Sequence, residues 1–186
     1  MAKKEKRYAE ALISIASEKN SSAGDSTDYI EIFQQELDML SQIYNKEATL
    51  RKVLLDPSID KELKKDLLKR IFKSRVKTEI LNTLFLLTDK GSISALPGIS
   101  SEFARLADEK RNILNVEISA YEPLDNDQLD RIVQKIRKQF GAESVKVVVN
   151  IDKSLLGGIK IKVGDKVIDS SVSGSLKALG KLLAAR

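Results

Sequence analysis

The sequence predicts a protein of two parts: a bundle of six helices over residues 1–109, followed by a small α+β domain over residues 110–186. Up to Asn112 the apolar residues recur every three or four positions, as they do on one face of a helix. Beyond Asn112 segments of strict alternation appear, which are typical of half-buried strands. A chain of 186 residues with 42% hydrophobic content is long enough to bury a core.

Three helices are predicted in the first 55 residues. The first covers residues 6–19 and ends in the cluster of Asn, Ser, Gly and Asp at residues 20–26. Asp28 is a candidate N-cap for the second helix, with Glu31 three residues later. The apolar face of this second helix carries Ile30, Phe33, Leu37, Leu40 and Tyr44. A shorter helix over residues 48–55 stops before Pro57, because proline disfavours the helical conformation at the residue before it.

Three more helices complete the predicted bundle. We expect Ser58 to start the fourth, whose apolar face carries Leu63, Leu67, Leu68, Ile71 and Phe72. The fifth covers residues 77–90 and is closed by Gly91, since glycine readily adopts the left-handed conformation that ends many helices. The sixth is predicted from residue 99 to residue 112, after the Pro97-Gly98 pair.

The second part is predicted to begin as a β-α-β unit. Residues 114–118 and 145–151 alternate as strands, and the helix between them is capped by Asp125 and ended by Gly141. After Gly157-Gly158, residues 159–163 and 167–168 form a hairpin that turns at Gly164-Asp165. A final helix is predicted over residues 171–185, with Ser170 or Ser171 as its cap.

The composition argues against most enzymes. The chain has no His, Cys or Trp, so it lacks the commonest general base, the nucleophilic thiol and the preferred zinc ligands. No Gly-Lys-Ser/Thr follows the glycines at 157, 158 and 164, and turn chemistry accounts for them better than a phosphate loop. The same holds for Asp165 and Asp169, which flank the predicted hairpin. We therefore expect a protein without catalytic residues, cofactor or metal.

The charge pattern leaves two other classes of protein open. The net charge is +5, and basic residues alternate with acidic ones along most of the chain. The basic run from Lys61 to Lys73 includes Glu62 and Asp66 and lacks interleaved aromatics, which favours a solvated helix face over a basic nucleic-acid-binding helical protein. An enzyme that uses carboxylates alone is the other alternative. No signal-peptide pattern and no bilayer-length apolar segment is found, so we expect a cytoplasmic protein without a membrane span.

Two helices carry more apolar surface than one buried stripe requires. In the fifth helix Leu86 projects outside the stripe formed by its other apolar residues. The first helix has a broad apolar arc, with Tyr8, Ala11 and Ile15 near one edge and Leu12 within it. Either the bundle buries the whole arc, or a partner docks there. The partner would then be an amphipathic helix lying in the groove between helices one and five.

Two motifs carry a resemblance to a known family. Residues 7–12, Arg-Tyr-Ala-Glu-Ala-Leu, resemble the opening motif of the delta subunit of F-type ATP synthases, whose mitochondrial counterpart is the oligomycin-sensitivity-conferring protein. Residues 156–176 resemble the family's C-terminal signature, which includes Gly157, Gly158, Gly164, Asp165, Asp169 and Ser171. Residues 90–93 resemble the segment closing the fifth helix, although Ser92 replaces a residue that is usually larger or basic.

The resemblance implies a non-catalytic stator subunit, peripheral on the cytoplasmic side of the cell membrane, in the complex that couples ion transport to ATP synthesis. It implies that helices one and five bind the N-terminal helices of alpha subunits, and that the C-terminal domain binds the b subunits of the peripheral stalk. Neither role requires nucleic acid. The residues predicted for the alpha contact are Tyr8, Ala11, Leu12, Ile15 and Leu86. The six signature residues named above would have structural roles.

Overall fold

The computed structural model describes residues 2–22, 27–164, 166–174 and 176. The chain divides into two units, Met1–Ala107 and Asp108–Arg186, so the helix that ends at Lys110 contributes its last residues to the second unit. The sequence predicted the division after residue 109. Each unit has its own hydrophobic core.

The first unit begins with helices α1, Ala2–Ser22, α2, Tyr29–Lys46, and α3, Ala48–Leu55. Helix α1 extends beyond the predicted residues 6–19 at both ends. The predicted cap of α2 is confirmed, because Oδ1 of Asp28 accepts hydrogen bonds from the backbone N–H groups of Ile30 at 3.0 Å and Glu31 at 3.3 Å. The side-chain amide of Asn20 also donates to this carboxylate, at 3.1 Å, which links the end of α1 to the start of α2.

Helix α4, Lys61–Phe72, is capped by Asp60 and not by Ser58, so that prediction was wrong. Ser58 instead donates its backbone N–H and its hydroxyl to Oδ1 of Asp56, at 2.9 and 2.6 Å. The Asp56-Pro57-Ser58 step is therefore a closed local turn. The helix begins only after that turn, where the Asp60 carboxylate accepts from the N–H of Glu62.

Helix α5 covers Thr78–Asp89, and α6 covers Leu96–Lys110 after a single 3₁₀ turn at Ile93–Ala95. The sequence placed the start of α6 after Pro97 and Gly98, but both lie in its first turn. Proline is tolerated there because the first N–H groups of a helix have no partner within it. Gly98 lies against α1, since a Cβ at this position would lie 2.6 Å from Cδ of Glu5 and would displace that side chain.

The core of the first unit is formed by all six helices. Phe33, Phe72 and Phe103, from α2, α4 and α6, are its largest fully buried side chains. The inward-facing residues of α5 and the 3₁₀ turn complete this core. The buried Lys64 of α4 extends past it and donates from Nζ to the backbone carbonyl of Asp56 at 2.6 Å. The predicted helical bundle is thus confirmed.

The second unit contains a mixed sheet of four strands in the order β2-β1-β3-β4. The strands are β1, Ile113–Ala120, β2, Ser144–Ile151, β3, Ile159–Val163, and β4, Lys166–Asp169. Strands β1 and β2 are parallel and are connected through helix α7, Asn126–Phe140, whereas β3 pairs antiparallel with both β1 and β4. The predicted β-α-β unit and hairpin are both present.

Helix α7 covers one face of this sheet and has local signals at both ends. Asp125 and Gln128 form a capping box, in which each side chain accepts from the other residue's backbone N–H. Gly141 ends the helix in the left-handed conformation, with φ of +64°. The core between helix and sheet contains Val116, Ile118, Ile136, Ile161 and Val163.

The C-terminal segment is described only in part. Residues 172–174 and 176 are helical, which agrees with the start of the predicted final helix. The rest of that prediction, and the predicted turn residue Asp165, lie outside the described residues.

Candidate partner-binding groove

Helix α1 has one face in the core and a neighbouring strip at the surface. Ala9, Leu12 and Ala16 are at most 2% exposed, because their spacing of three and four residues places them on the inward side. Tyr8, Ala11 and Ile15 follow the same spacing one residue earlier in each turn. Tyr8 is half-buried, Ala11 is exposed and Ile15 is 36% exposed. The strip is therefore available for contact beside a face that is fully packed.

Helix α5 shows the same division between an inward stripe and an outward residue. The inward stripe is buried and consists of Ile80, Leu81, Leu84, Leu87 and Thr88. The one hydroxyl in it is satisfied, since Oγ1 of Thr88 donates to the carbonyl of Leu84 at 2.8 Å. Leu86 points away from this stripe and is 44% exposed, as the sequence predicted.

The exposed residues of the two helices line one groove. Its volume is about 510 Å³, and its walls are Lys4, Arg7, Tyr8 and Ala11 of α1 with Leu86, Lys90 and Ser92 at the end of α5. Ala11 has the smallest of these side chains, so it leaves room above the helix backbone. The floor of the groove is apolar and lies between two helices, which is the kind of surface that receives an amphipathic helix.

An ion pair fixes the other end of the two helices. Lys19 of α1 pairs with Glu79 in the first turn of α5, so the helices run in opposite directions along the groove. The hydrogen bond from Lys19 is the main reason why the pKa of Glu79 lies below its ordinary value, and it correspondingly raises the pKa of Lys19. The Nζ atoms of Lys19 and Lys77 also lie 5.5 and 5.9 Å from the ring centre of Tyr29. These contacts tie α1, α2 and α5 together.

A glycine turn forms the open end of the groove. Gly91 has φ of +60°, and its N–H donates to the carbonyl of Thr88 at 3.1 Å. The N–H of Ser92 donates to the carbonyl of Leu87 at 2.8 Å, which completes a Schellman motif. This geometry ends α5 directly after Lys90 and brings Ser92 back toward α1.

The rim of the groove is positively charged. Lys4, Arg7 and Lys90 all line it, and none of the three forms an ion pair among the residues that the structure describes. A segment that fits this groove should therefore present apolar side chains to the floor and acidic or neutral polar side chains to the rim.

The structure brings together three of the five residues predicted for partner binding: Tyr8, Ala11 and Leu86. Leu12 must be removed from that set, because it is 2% exposed and supports the groove from the core side. Ile15 is exposed on the same strip but does not line the groove.

Sequence reasoning missed Lys4, Arg7, Lys90 and Ser92. Lys4 lay outside the predicted first helix, which began at residue 6, whereas α1 begins at Ala2 and so includes Lys4 on the same strip as Arg7 and Ala11.

Gly157, Gly158 and Gly164 of the C-terminal motif all have positive φ angles. Gly158 has φ of +77°, and a Cβ on it would lie 2.5 Å from the carbonyl oxygen of Ser170. Two hydrogen bonds hold the backbone of residues 170–172 beside Gly158. The N–H of Ser170 donates to the carbonyl of Ile159 at 3.0 Å, and that of Val172 donates to the carbonyl of Gly157 at 3.1 Å. Glycine at 158 thus allows the C-terminal segment to pack directly on the chain.

Asp169 and Ser171 shape the turn into that segment. Oδ1 of Asp169 accepts the backbone N–H and the hydroxyl of Ser171, at 3.0 and 2.6 Å. The hydroxyl oxygen of Ser171 then accepts the N–H of Gly174 at 2.9 Å, so Ser171 is the cap. Gly164 has φ of +56° next to the β3–β4 turn.

The described residues contain neither a metal-binding cluster nor a membrane-spanning helix. They hold no group of three or more His, Cys, Asp and Glu side chains arranged to bind a metal ion. Among them, no helix combines the length and the apolar character needed to cross a membrane.

Comparison with known proteins agrees with the resemblance seen in the sequence. A family model described as ATP synthase delta (OSCP) subunit matches residues 5–183. The ATP synthase subunit delta of Acetivibrio thermocellus is 42% identical over 180 residues, which covers 97% of both chains. The protein of the same name from Bacillus cytotoxicus is 35% identical over 178 residues, covering 96% of this chain and 94% of the relative.

A solved structure supports the fold. A chain of the mitochondrial ATP synthase hexamer of Toxoplasma gondii superposes with a TM-score of 0.70 over 98% of both chains, at 18% identity. At such low sequence identity, the superposition supports only the fold. The family model and the curated relatives together show that the chain belongs to the ATP synthase delta (OSCP) subunit family, whose members are non-catalytic stator subunits of F-type ATP synthases.

Proposed function

We propose that the groove between α1 and α5 binds the N-terminal helix of an alpha subunit of the catalytic head, and that the second unit binds the b subunits of the peripheral stalk. The chain then links head and stalk, peripheral to the membrane on its cytoplasmic side. In this role it prevents the head from turning with the rotor, so that ion flow remains coupled to ATP synthesis.

One observation carries the first half of the proposal: Leu86 is 44% exposed in a groove whose other wall is the open strip of α1. The core beneath is complete, with Leu12 and Leu84 at 2% and 1% exposure, so Leu86 is not needed for packing within the unit. An amphipathic helix that inserts side chains at positions i, i+3 or i+4, and i+7 would bury it.

The second half of the proposal is supported by apolar surface on the second unit. Ile151, Val172 and Leu176 are 51%, 48% and 57% exposed. Leu176 and Val172 belong to the segment that the Gly158 contact fixes, next to the end of the sheet. Contact with the stalk at this segment would bury them.

A stator link requires slow dissociation under torque. Burial of apolar surface contributes about 25 cal/mol per Å² before the costs of association are subtracted. Several docked helices can thus supply a long-lived contact without any catalytic residue.

The proposal is tested by titrating the full-length chain with a fluorescently labelled peptide of the alpha N-terminal segment from the same organism. We expect a dissociation constant in the range of about 1 µM or below, which corresponds to about −8 kcal/mol. Leu86→Asp places a charge on the apolar floor and should weaken binding about 30-fold or more. Ala11→Asp should also weaken it, because the larger side chain fills the groove.

Leu63→Asp is the matched control. Leu63 lies on α4 and is 63% exposed, so the same substitution there alters an exposed leucine outside the groove. The control should bind like the wild type. Failure of the wild type to bind at micromolar concentration, or equal losses for Leu86→Asp and Leu63→Asp, would contradict the proposed function.

A further inference from the structure

A second charged surface lies at the turn between α4 and α5. Lys69, Arg70, Lys73 and Arg75, called here the basic turn, are all exposed. No acidic residue occurs from position 67 to position 78. Lys69, Arg70, Lys73 and Ser74 surround an open hollow of about 510 Å³. No other stretch of the first unit without acidic residues holds as many basic ones.

The side chains of the basic turn are not neutralised within the unit. Among the described residues none of the four forms an ion pair. Other basic side chains of the same unit do: Lys65 contacts Asp89 at 2.6 Å, and Arg105 contacts Glu102 at 2.8 Å. The basic turn thus places four cations within seven residues of the chain, none of them in an ion pair among the described residues.

Complementing the helix dipole does not account for the whole cluster. Cations in the last turn of a helix are favourable, but α2 and α3 each have a single lysine there, Lys46 and Lys52. Helix α4 has two cations in its last turn, Lys69 and Arg70, and Lys73 and Arg75 follow beyond the helical segment. The helix dipole therefore does not account for Lys73 and Arg75, which lie beyond the last turn.

The basic turn is separate from the α1–α5 groove. It precedes the first residue of α5, Thr78, whereas Leu86 and Lys90 of the groove are at the opposite end of that helix. The 12 residues of α5 span about 18 Å at 1.5 Å per residue. A helix seated at the open end of the groove therefore leaves the basic turn accessible.

We propose that the basic turn binds a carboxylate-rich segment of a neighbouring subunit in the ATP synthase, as a contact distinct from the groove. A protein partner is favoured over nucleic acid because Phe72, the aromatic residue within this stretch, is 2% exposed and offers no face for base stacking. The chain also belongs to a family of subunits that function within a protein complex. Opposite charges at such a rim accelerate association and orient the partner.

The test uses the full-length chain and the catalytic head purified without this subunit. The variant Arg70→Glu/Lys73→Glu should bind the head about tenfold more weakly than wild type at about 50 mM salt, and the difference should nearly vanish at about 0.5 M salt. Its affinity for the alpha peptide should be unchanged. The control Lys46→Glu/Lys52→Glu makes the same charge change in the last turns of α2 and α3 and should bind the head like wild type.

Carbodiimide cross-linking, which joins lysines only to carboxylates in direct contact, gives an independent readout. Links from Lys69 or Lys73 to a carboxylate of the head are expected in the assembled complex. Equal head affinity for the two double variants, a loss that does not depend on salt, or the absence of such links would overturn the proposal. The proposal would also be overturned if the wild type bound a short DNA duplex more tightly than the head and Arg70→Glu/Lys73→Glu abolished that DNA binding. If the wild type did not bind the alpha peptide, only the proposed function of the groove would be refuted.

Discussion

Replacing Gly158 by alanine should destabilise the C-terminal unit by about 3 kcal/mol. Gly158 has φ of +77°, and a left-handed backbone costs a residue with a Cβ about 1–2 kcal/mol. The added Cβ would also lie 2.5 Å from the carbonyl oxygen of Ser170 and 3.2 Å from Cα of Ser171. Both atoms belong to the backbone, so the segment itself must shift, and overpacking of this kind costs about 1–3 kcal/mol.

Two other glycines separate these contributions. Gly164 and Gly141 have φ of +56° and +64°, and a Cβ on either would meet no atom within 4 Å. Alanine at these positions should therefore cost only the conformational term, about 1–2 kcal/mol. The additional loss in Gly158→Ala measures the contact with residues 170–171.

The assay combines urea unfolding with hydrogen exchange read by mass spectrometry. The N–H groups of Ser170 and Val172 are hydrogen-bonded to Ile159 and Gly157, so they should exchange more rapidly in Gly158→Ala and at the wild-type rate in Gly164→Ala. Equal destabilisation by the alanine variants, or unchanged exchange at 170–172 in Gly158→Ala, would refute the reasoning.

Three further predictions concern the helices. The pKa of Glu79 is lowered from its ordinary value of 4.5 mainly by the hydrogen bond from Lys19. The stability that this pair contributes is therefore fully present above pH 4.5 and is lost as the pH falls through the lower pKa of the folded protein. The urea midpoints of wild type and Glu79→Gln should converge in that pH range. Leu12→Ala should lower the unfolding free energy by about 2–5 kcal/mol, whereas Ile15→Ala, at a surface position, should change it by less than about 1 kcal/mol in the same urea titration. Asp125→Ala removes a capping box and should cost about 1 kcal/mol, seen as faster hydrogen exchange in the first turn of α7.

Features of the fold that depend on neighbouring residues in the chain were predictable. Asp28 and Asp125 cap the helices that follow them, and Gly141 ends α7, because each signal and its effect lie within one helical turn. The change from helical periodicity to strand alternation likewise depends only on which face of each element is buried. These local signals determined the order and type of the elements in both units.

Features that depend on contacts between distant segments were not predictable. The start of α6 at Leu96 places Gly98 beside Glu5, a neighbour that is far away in sequence. The sequence could not distinguish Leu12, in the core, from Ile15, at the surface, because both belong to one broad apolar arc. The reason for glycine at 158 became clear only when Ser170 was placed beside it.

The groove has an apolar floor and a cationic rim, and these parts should control different rate constants. Rim charges act on the encounter at long range, so Lys4→Gln/Arg7→Gln should slow association of the alpha peptide and reduce its salt dependence. Leu86 acts only after desolvation, so Leu86→Asp should accelerate dissociation. Torque on a stator loads its contacts and favours their dissociation, so coupling requires a slow dissociation rate constant. Leu86 is therefore the residue on which coupling should depend most. Stopped-flow fluorescence measures both constants, and faster dissociation in the rim variant than in Leu86→Asp would contradict this division.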